Sequence, residues 1–133
     1  MYNNKFVIEI LKQILNSIKT VIRRFESIES SDDFLTSDHG LDMLDAICMQ
    51  LIAIGESIKN IDKITHQELL KKYSKIDWKG VKGIRDIISH HYFDLDAEEI
   101  FNICNNNIPP LAQIISTMIE DIEKNFKDNL NIK

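Results

Sequence analysis

Arg85, Asp86, Ser89, His90, His91 and Tyr92 crowd polar chemistry into one short stretch of the chain. An unperturbed imidazole titrates near about 6.5, so a histidine can accept or donate a proton at cellular pH. Arginine is always charged and can grip a phosphate through two parallel hydrogen bonds. Together they are the minimum for metal-free RNA cleavage. The histidine moves a proton between the ribose 2′-OH and the leaving oxygen, and the arginine stabilises the phosphorane-like transition state. A substrate without a 2′-OH is inert to that route. Arg85 and His90 are therefore the candidate catalytic pair, with Asp86 and Ser89 as supporting polar residues. The bland alternative is an Arg85 salt bridge and a His90 that caps a helix C-terminus, where a cation is favoured.

Spacing complicates that pair. On a continuous helix, residues five apart point about 140° away from each other. Either the helix ends near His90 or a second copy of the chain completes the site. A two-fold dimer places the same patch of both copies face to face. Gly80 and Gly83 add to this. Each costs roughly 1 kcal/mol in a helix interior relative to alanine, which implies close approach by another backbone or a ligand. His39 and His66 lie at expected helix starts without a partner in sequence and read as surface or cap residues. Cys48 and Cys104 each sit in an apolar helical pattern and read as buried free thiols. No carboxylate pair and no His–Cys cluster has metal-ligand spacing, so neither a metal nor another cofactor is expected.

The 133 residues carry a formal charge of -5, with 44% hydrophobic and 28% charged side chains. That is the profile of one globular domain, too short for a large barrel or a two-domain nucleotide fold. The net charge argues against a general nucleic-acid coat. It conceals a segregation, however. Residues 26–45 hold Glu26, Glu29, Asp32, Asp33, Asp38, Asp42 and Asp45 and no lysine or arginine. Residues 71–85 hold Lys71, Lys72, Lys75, Lys79, Lys82 and Arg85 against Asp77 alone. With Tyr73 and Trp78 among them, this run could track a phosphate backbone and stack bases; the alternative is a solvated face around a core tryptophan. Lys75, Lys79 and Lys82 are the RNA-binding candidates. No leader-like segment or membrane-length apolar run is present, and a cytoplasmic protein is expected.

The elements that must position these groups read as helices. Isoleucine occurs 24 times, and β-branched residues slightly disfavour helix, so periodicity decides. Val7, Ile10, Leu11, Ile14, Ile18, Val21, Ile22 and Phe25 make one stripe from Lys5 to about Ser30. Residues 30–33 read as a loop. Thr36 or Ser37 caps a second helix running to about Asp62, with Leu41, Leu44, Ile47, Cys48, Leu51, Ile54, Ile58 and Ile61 inside. Ile52 and Ala53 widen this stripe. Thr65 to Glu68 fits a capping box opening a short helix to Tyr73. Asp77 caps a helix from Trp78 to His90 or His91. Asp96 opens a last run to about Phe126, which Pro109 and Pro110 must interrupt or kink. The expected fold is all-α: an antiparallel bundle of four main helices plus a short one, dimeric. Residues 1–133 form a single domain with a loosely ordered tail from about residue 127.

At the polar cluster the chain resembles a known family. Trp78-x-x-Val81-x-Gly83-Ile84-Arg85-Asp86-x-x-x-His90-x-Tyr92 resembles the signature of HepT-like proteins of the HEPN superfamily, toxins with an R-x-x-x-x-H-x-Y motif. Ile54-Gly55-Glu56-Ser57-x-Lys59 resembles the family's Gly-Glu-small segment. The Asp96 helix and the Ile108-Pro109-Pro110-Leu111 step fit as well, so the resemblance covers about residues 5–123. It implies a homodimeric, metal-independent ribonuclease whose Arg85 and His90 come from both subunits to one cleft, with RNA, tRNA among the candidates, as substrate. It also implies a partner, a minimal nucleotidyltransferase antitoxin of the MNT type, which transfers AMP to the motif tyrosine, here Tyr92. The residue after the arginine, often Asn in the family, is Asp86 here, which bears on rate or substrate preference. The competing functions are a non-catalytic RNA- or nucleotide-binding module and a helical adaptor for the nucleotidyltransferase.

Overall fold

The computed structural model describes residues 2–90 and 96–131, and in it the side chains of residues 89–90 and 128–131 fall outside the described set. Among the described residues all regular structure is helical. The first helix, α1, spans Asn4–Phe25. The Asn3 side chain opens it by accepting a hydrogen bond from the Phe6 amide. Val7, Ile10, Leu11, Ile14, Ile18 and Val21 form its buried face. The expected stripe narrows at its end, where Ile22 is exposed. The helix stops at Phe25 rather than near Ser30, and a short 3-10 turn at Ser31–Phe34 takes the place of the expected loop. The Asp33 carboxylate holds that turn by accepting from the Glu29 and Ser30 amides.

The second helix, α2, spans Asp38–Ile64, with Ser37 accepting from the Gly40 amide. Gly40 passes so close to the 3-10 turn that a Cβ there would overlap the Asp33 carbonyl. The α2 core is the expected one from Leu44 onward, but Leu41 and Ala53 are exposed. The capping box expected at Thr65 does not form. Thr65 instead ends α2: its buried hydroxyl donates to the Ile61 carbonyl at 2.8 Å. His66 and Gln67 follow at φ 54° and 63°, in the left-handed region. Their amides close the helix by donating to Lys63 and Asp62 carbonyls, as in the usual left-handed helix ending but without glycine. Only a single 3-10 turn, Leu70–Lys72, remains of the expected short helix.

Helix α3 spans Trp78–His90 and α4 spans Ala97–Asn102, capped by Asp96. A wider π-helical turn, Ile103–Asn107, leads directly into α5, Ile108–Asn131. The prolines thus sit in the first turn of α5, and the interruption lies just before them. Proline clashes with the carbonyl four residues back in an α-helix, and the π turn moves those carbonyls away by bonding five residues apart, as in Ile108 N–H to the Ile103 carbonyl. α1 packs on α2 and α5, and α2 also packs on α3. Phe25 lies between Phe34 and Phe101, with ring centroids 6.4 and 5.1 Å away, tying the end of α1 to α4 and the 3-10 turn. Cys48 and Cys104 are buried free thiols, as expected.

Candidate functional site

The site is built on the seam between α2 and α3. Asp77 starts α3 by accepting from the Gly80 amide at 3.1 Å. Val81, Ile84 and Ile88 turn inward at helical spacing, Ile84 and Ile88 being buried. The seam is tight because Gly55 of α2 has no side chain: a Cβ there would lie 2.8 Å from both Ile84 Cγ2 and the Val81 carbonyl oxygen. Close approach fixes the register, and the polar edges of the two helices then meet. Arg85 Nη1 reaches Glu56 Oε1 at 3.4 Å, and the same oxygen lies 3.5 Å from Lys59 Nζ. Further along, Lys82 pairs with Asp62. The order of these pairs, 56 with 85 and 62 with 82, shows that α3 runs back along α2.

The two Glu56 pairs contribute little stability, because solvent screens exposed pairs to about 0–1 kcal/mol. What they do is place charge. Arg85 is held by one nitrogen while 56% of its side chain stays open to solvent, leaving other donors of its fork able to meet a phosphate. Beyond this pair, Lys59, Asp62, Lys63, His66, Gln67 and Lys82 line a groove of about 510 Å³.

The three lysines expected to bind RNA do not form one strip. Lys82 lies beside Arg85 on the α2 edge. Lys75 lines a different, mostly apolar groove with Ile76, Gly80, Ile87 and Pro110. Lys79 is exposed, and at six residues from Arg85 it lies about 120° around the helix. The aromatics of the basic run are occupied by the fold. Trp78 is half-buried and donates from Nε1 to the Tyr73 carbonyl at 2.9 Å. The Tyr73 hydroxyl donates to Asp121 at 2.7 Å, and burial followed by that contact pushes its pKa up. The glycine expectation is also corrected. Gly80 is pressed by its own cap, Asp77, whereas a Cβ at Gly83 meets nothing within 4 Å.

Asp86 is exposed. His90 is the last residue of α3, so helical backbone runs from Arg85 to His90 and the two positions stand about 140° apart around the axis. The side chains of Ser89 and His90 lie outside the described set, and His91 and Tyr92 outside the described residues altogether. His39, as a surface residue, contacts Ser27 Oγ at 3.3 Å. Among the described residues no three His, Cys, Asp or Glu side chains converge to hold a metal ion. No described helix is long and apolar enough to cross a membrane. Lys63, which lines this groove, was not singled out by sequence reasoning, and His66 is exposed, as expected of a surface residue. The signal for Lys63 was the recurrence 56, 59, 62, 63 along one polar edge of α2.

An all-helical chain that presents an arginine on a basic edge, with a histidine at the end of the same helix, matches one family model. Residues 14–118 match "Ribonuclease HepT-like", and the chain belongs to this HepT-like family. Similar proteins bear related names. One from Methanocaldococcus jannaschii, "Gamma-glutamylcyclotransferase and putative RNase MJ0434", is 32% identical over 92% of this chain and 51% of its own length. From the same organism, "Putative RNase MJ0127" is 33% identical over 85% of this chain and 87% of its own. "Putative RNase TTE0752" of Caldanaerobacter subterraneus subsp. tengcongensis is 30% identical over 83% of this chain and 91% of its own. The chain thus spans about half the length of the first relative and most of the other two. No solved structure matches it significantly.

Proposed function

We propose that this chain is a metal-independent endoribonuclease, the toxin of a toxin–antitoxin pair, acting as a homodimeric antiparallel bundle. The observation that carries the reading is Arg85, solvent-open on the α2–α3 edge of a HepT-like chain and followed by a histidine at the end of its own helix. In the reaction the ribose 2′-oxygen attacks phosphorus and the bond to the 5′-oxygen breaks, giving a cyclic phosphate and a free 5′-hydroxyl. One His90 accepts the 2′-OH proton and the partner copy's equivalent donates one to the leaving oxygen. Arg85 neutralises the charge that builds on the phosphoryl oxygens. The 140° separation of Arg85 and His90 within one helix supports assembly of this set from two copies. Lys82 extends the positive edge toward the flanking backbone. Neutralisation falls to a nucleotidyltransferase of the MNT type that adds AMP to Tyr92, placing negative charge and bulk two residues from His90.

The test is cleavage of purified RNA in the presence of a chelator. Arg85→Ala and His90→Ala are each expected to lower the rate by about 10²–10⁴ while light scattering still reports a folded dimer. Full activity in both variants overturns the mechanism. Mass spectrometry of Tyr92 after co-expression with an MNT-type nucleotidyltransferase tests neutralisation, and an unmodified tyrosine removes it. Asp86 favours one second reading, a binding module without catalysis, because its carboxylate adds repulsion beside the phosphate site. RNA binding without turnover selects that reading.

A further inference from the structure

Apart from Lys82, the groove beyond Arg85 has no role in the chemistry just described, yet it continues the same edge. Lys59 and Lys63 lie one turn apart on α2, and Lys82 faces them from α3. Three carboxylates, Glu56, Asp62 and the exposed Asp86 next to Arg85, partly offset these three lysines and Arg85. The balance of the edge is positive, on a chain whose total is -5. The α2 C-terminus would ordinarily repel an anion. Here the amides of Thr65, His66 and Gln67 and the Thr65 hydroxyl already bond the Ile61, Asp62 and Lys63 carbonyls, so the Lys63 ammonium is not needed to satisfy these three. The turn that does this holds two consecutive non-glycine residues in the left-handed region. Such strain is kept where the surrounding structure over-determines it, often beside binding sites. Arg85 and Lys59 bracket a single carboxylate oxygen, which puts the groove next to the proposed scissile phosphate. Its volume of about 510 Å³ falls in the range of ligand-binding clefts, about 300–1,000 Å³.

We propose that the groove between the C-terminal half of α2 and α3, through Lys59 and Lys63, is a subsite for the RNA backbone phosphates flanking the cleavage point. The ligand class is single-stranded RNA, held by charge and not read by sequence. This rests on the ribonuclease reading for its direction along the strand, but its test does not depend on cleavage. The probe is a short single-stranded oligoribonucleotide made uncleavable by 2′-O-methylation and followed by fluorescence anisotropy over a salt series. A double variant, Lys59→Gln with Lys63→Gln, is expected to bind more weakly. Its slope of log affinity against log salt should be shallower by about 1.4, since each single-strand phosphate contact contributes about 0.7. Lys59→Arg with Lys63→Arg should restore both. A structural role for the lysines would not move the salt slope, and circular dichroism checks that the variant is folded.

Unchanged affinity and slope in the double variant overturn the subsite, whether or not RNA is cleaved. Absence of binding by the unsubstituted chain overturns it too. A lost slope increment in a chain that never cleaves RNA upholds the subsite and overturns the ribonuclease reading, so the two fail separately.

Discussion

Arg85 illustrates how much one residue can declare. Its type, its distance from His90 and the lysines before it pointed to phosphate chemistry, and it is solvent-open with a carboxylate partner. The helix caps Ser37 and Asp96 were equally legible, because capping is local: a short polar side chain reaches amides two or three residues on. Thr65 shows the limit of local reading. The same Thr-x-x-Glu string that can open a helix is used here to close one, since burial lets its hydroxyl bond the Ile61 carbonyl. The cysteines carry a prediction at this scale. Burial, with Asp45 adding for Cys48 and Cys48 adding for Cys104, pushes both thiols up to about 12 from an ordinary 9.0. Both are therefore expected to stay unreactive toward a disulfide reagent at neutral pH and to react together when the chain unfolds. Because the folded pKa is the higher one, the thiols' contribution to stability is fully present below about pH 9 and is lost as pH rises toward 12. Urea midpoints measured across that window should fall; a flat profile contradicts this.

At the scale of elements, the α2–α3 seam hinges on Gly55. Gly55→Ala is expected to destabilise the fold by about 1–3 kcal/mol, because the new methyl meets backbone oxygen as well as Ile84. RNA cleavage should fall with it as α3 shifts Arg85 away from α2. Gly83→Ala is expected to do the opposite, stabilising by about 1 kcal/mol through helix propensity, since open space awaits its methyl. Denaturant unfolding of both variants checks the contrast, and equal effects would refute this account of the seam. Sequence periodicity captured the long helices because their buried stripes repeat at three- and four-residue steps. It did not reveal the seam, since which edges of α2 and α3 face each other depends on a glycine contact 29 positions from Ile84 in chain order.

For the whole molecule, the total charge and the local charge point in opposite directions. Part of the acidic stretch serves the fold itself: Asp33 holds the 3-10 turn and Asp38 sits in the first turn of α2, where a negative charge is favoured. The chain as a whole repels RNA, and one edge attracts it, so binding should weaken steeply with added salt. That edge also contains its own rival for the substrate. The Glu56 oxygen lies between Arg85 and Lys59, where a phosphate oxygen would be drawn. It is a tethered competitor, never diluted away, for the one Arg85 nitrogen and the Lys59 ammonium that it holds. Since an exposed pair contributes roughly 0.2–1 kcal/mol, Glu56→Gln is expected to tighten oligoribonucleotide binding by about fivefold or less. Weaker binding in that variant would mean that Glu56 holds Arg85 for RNA instead of withholding it.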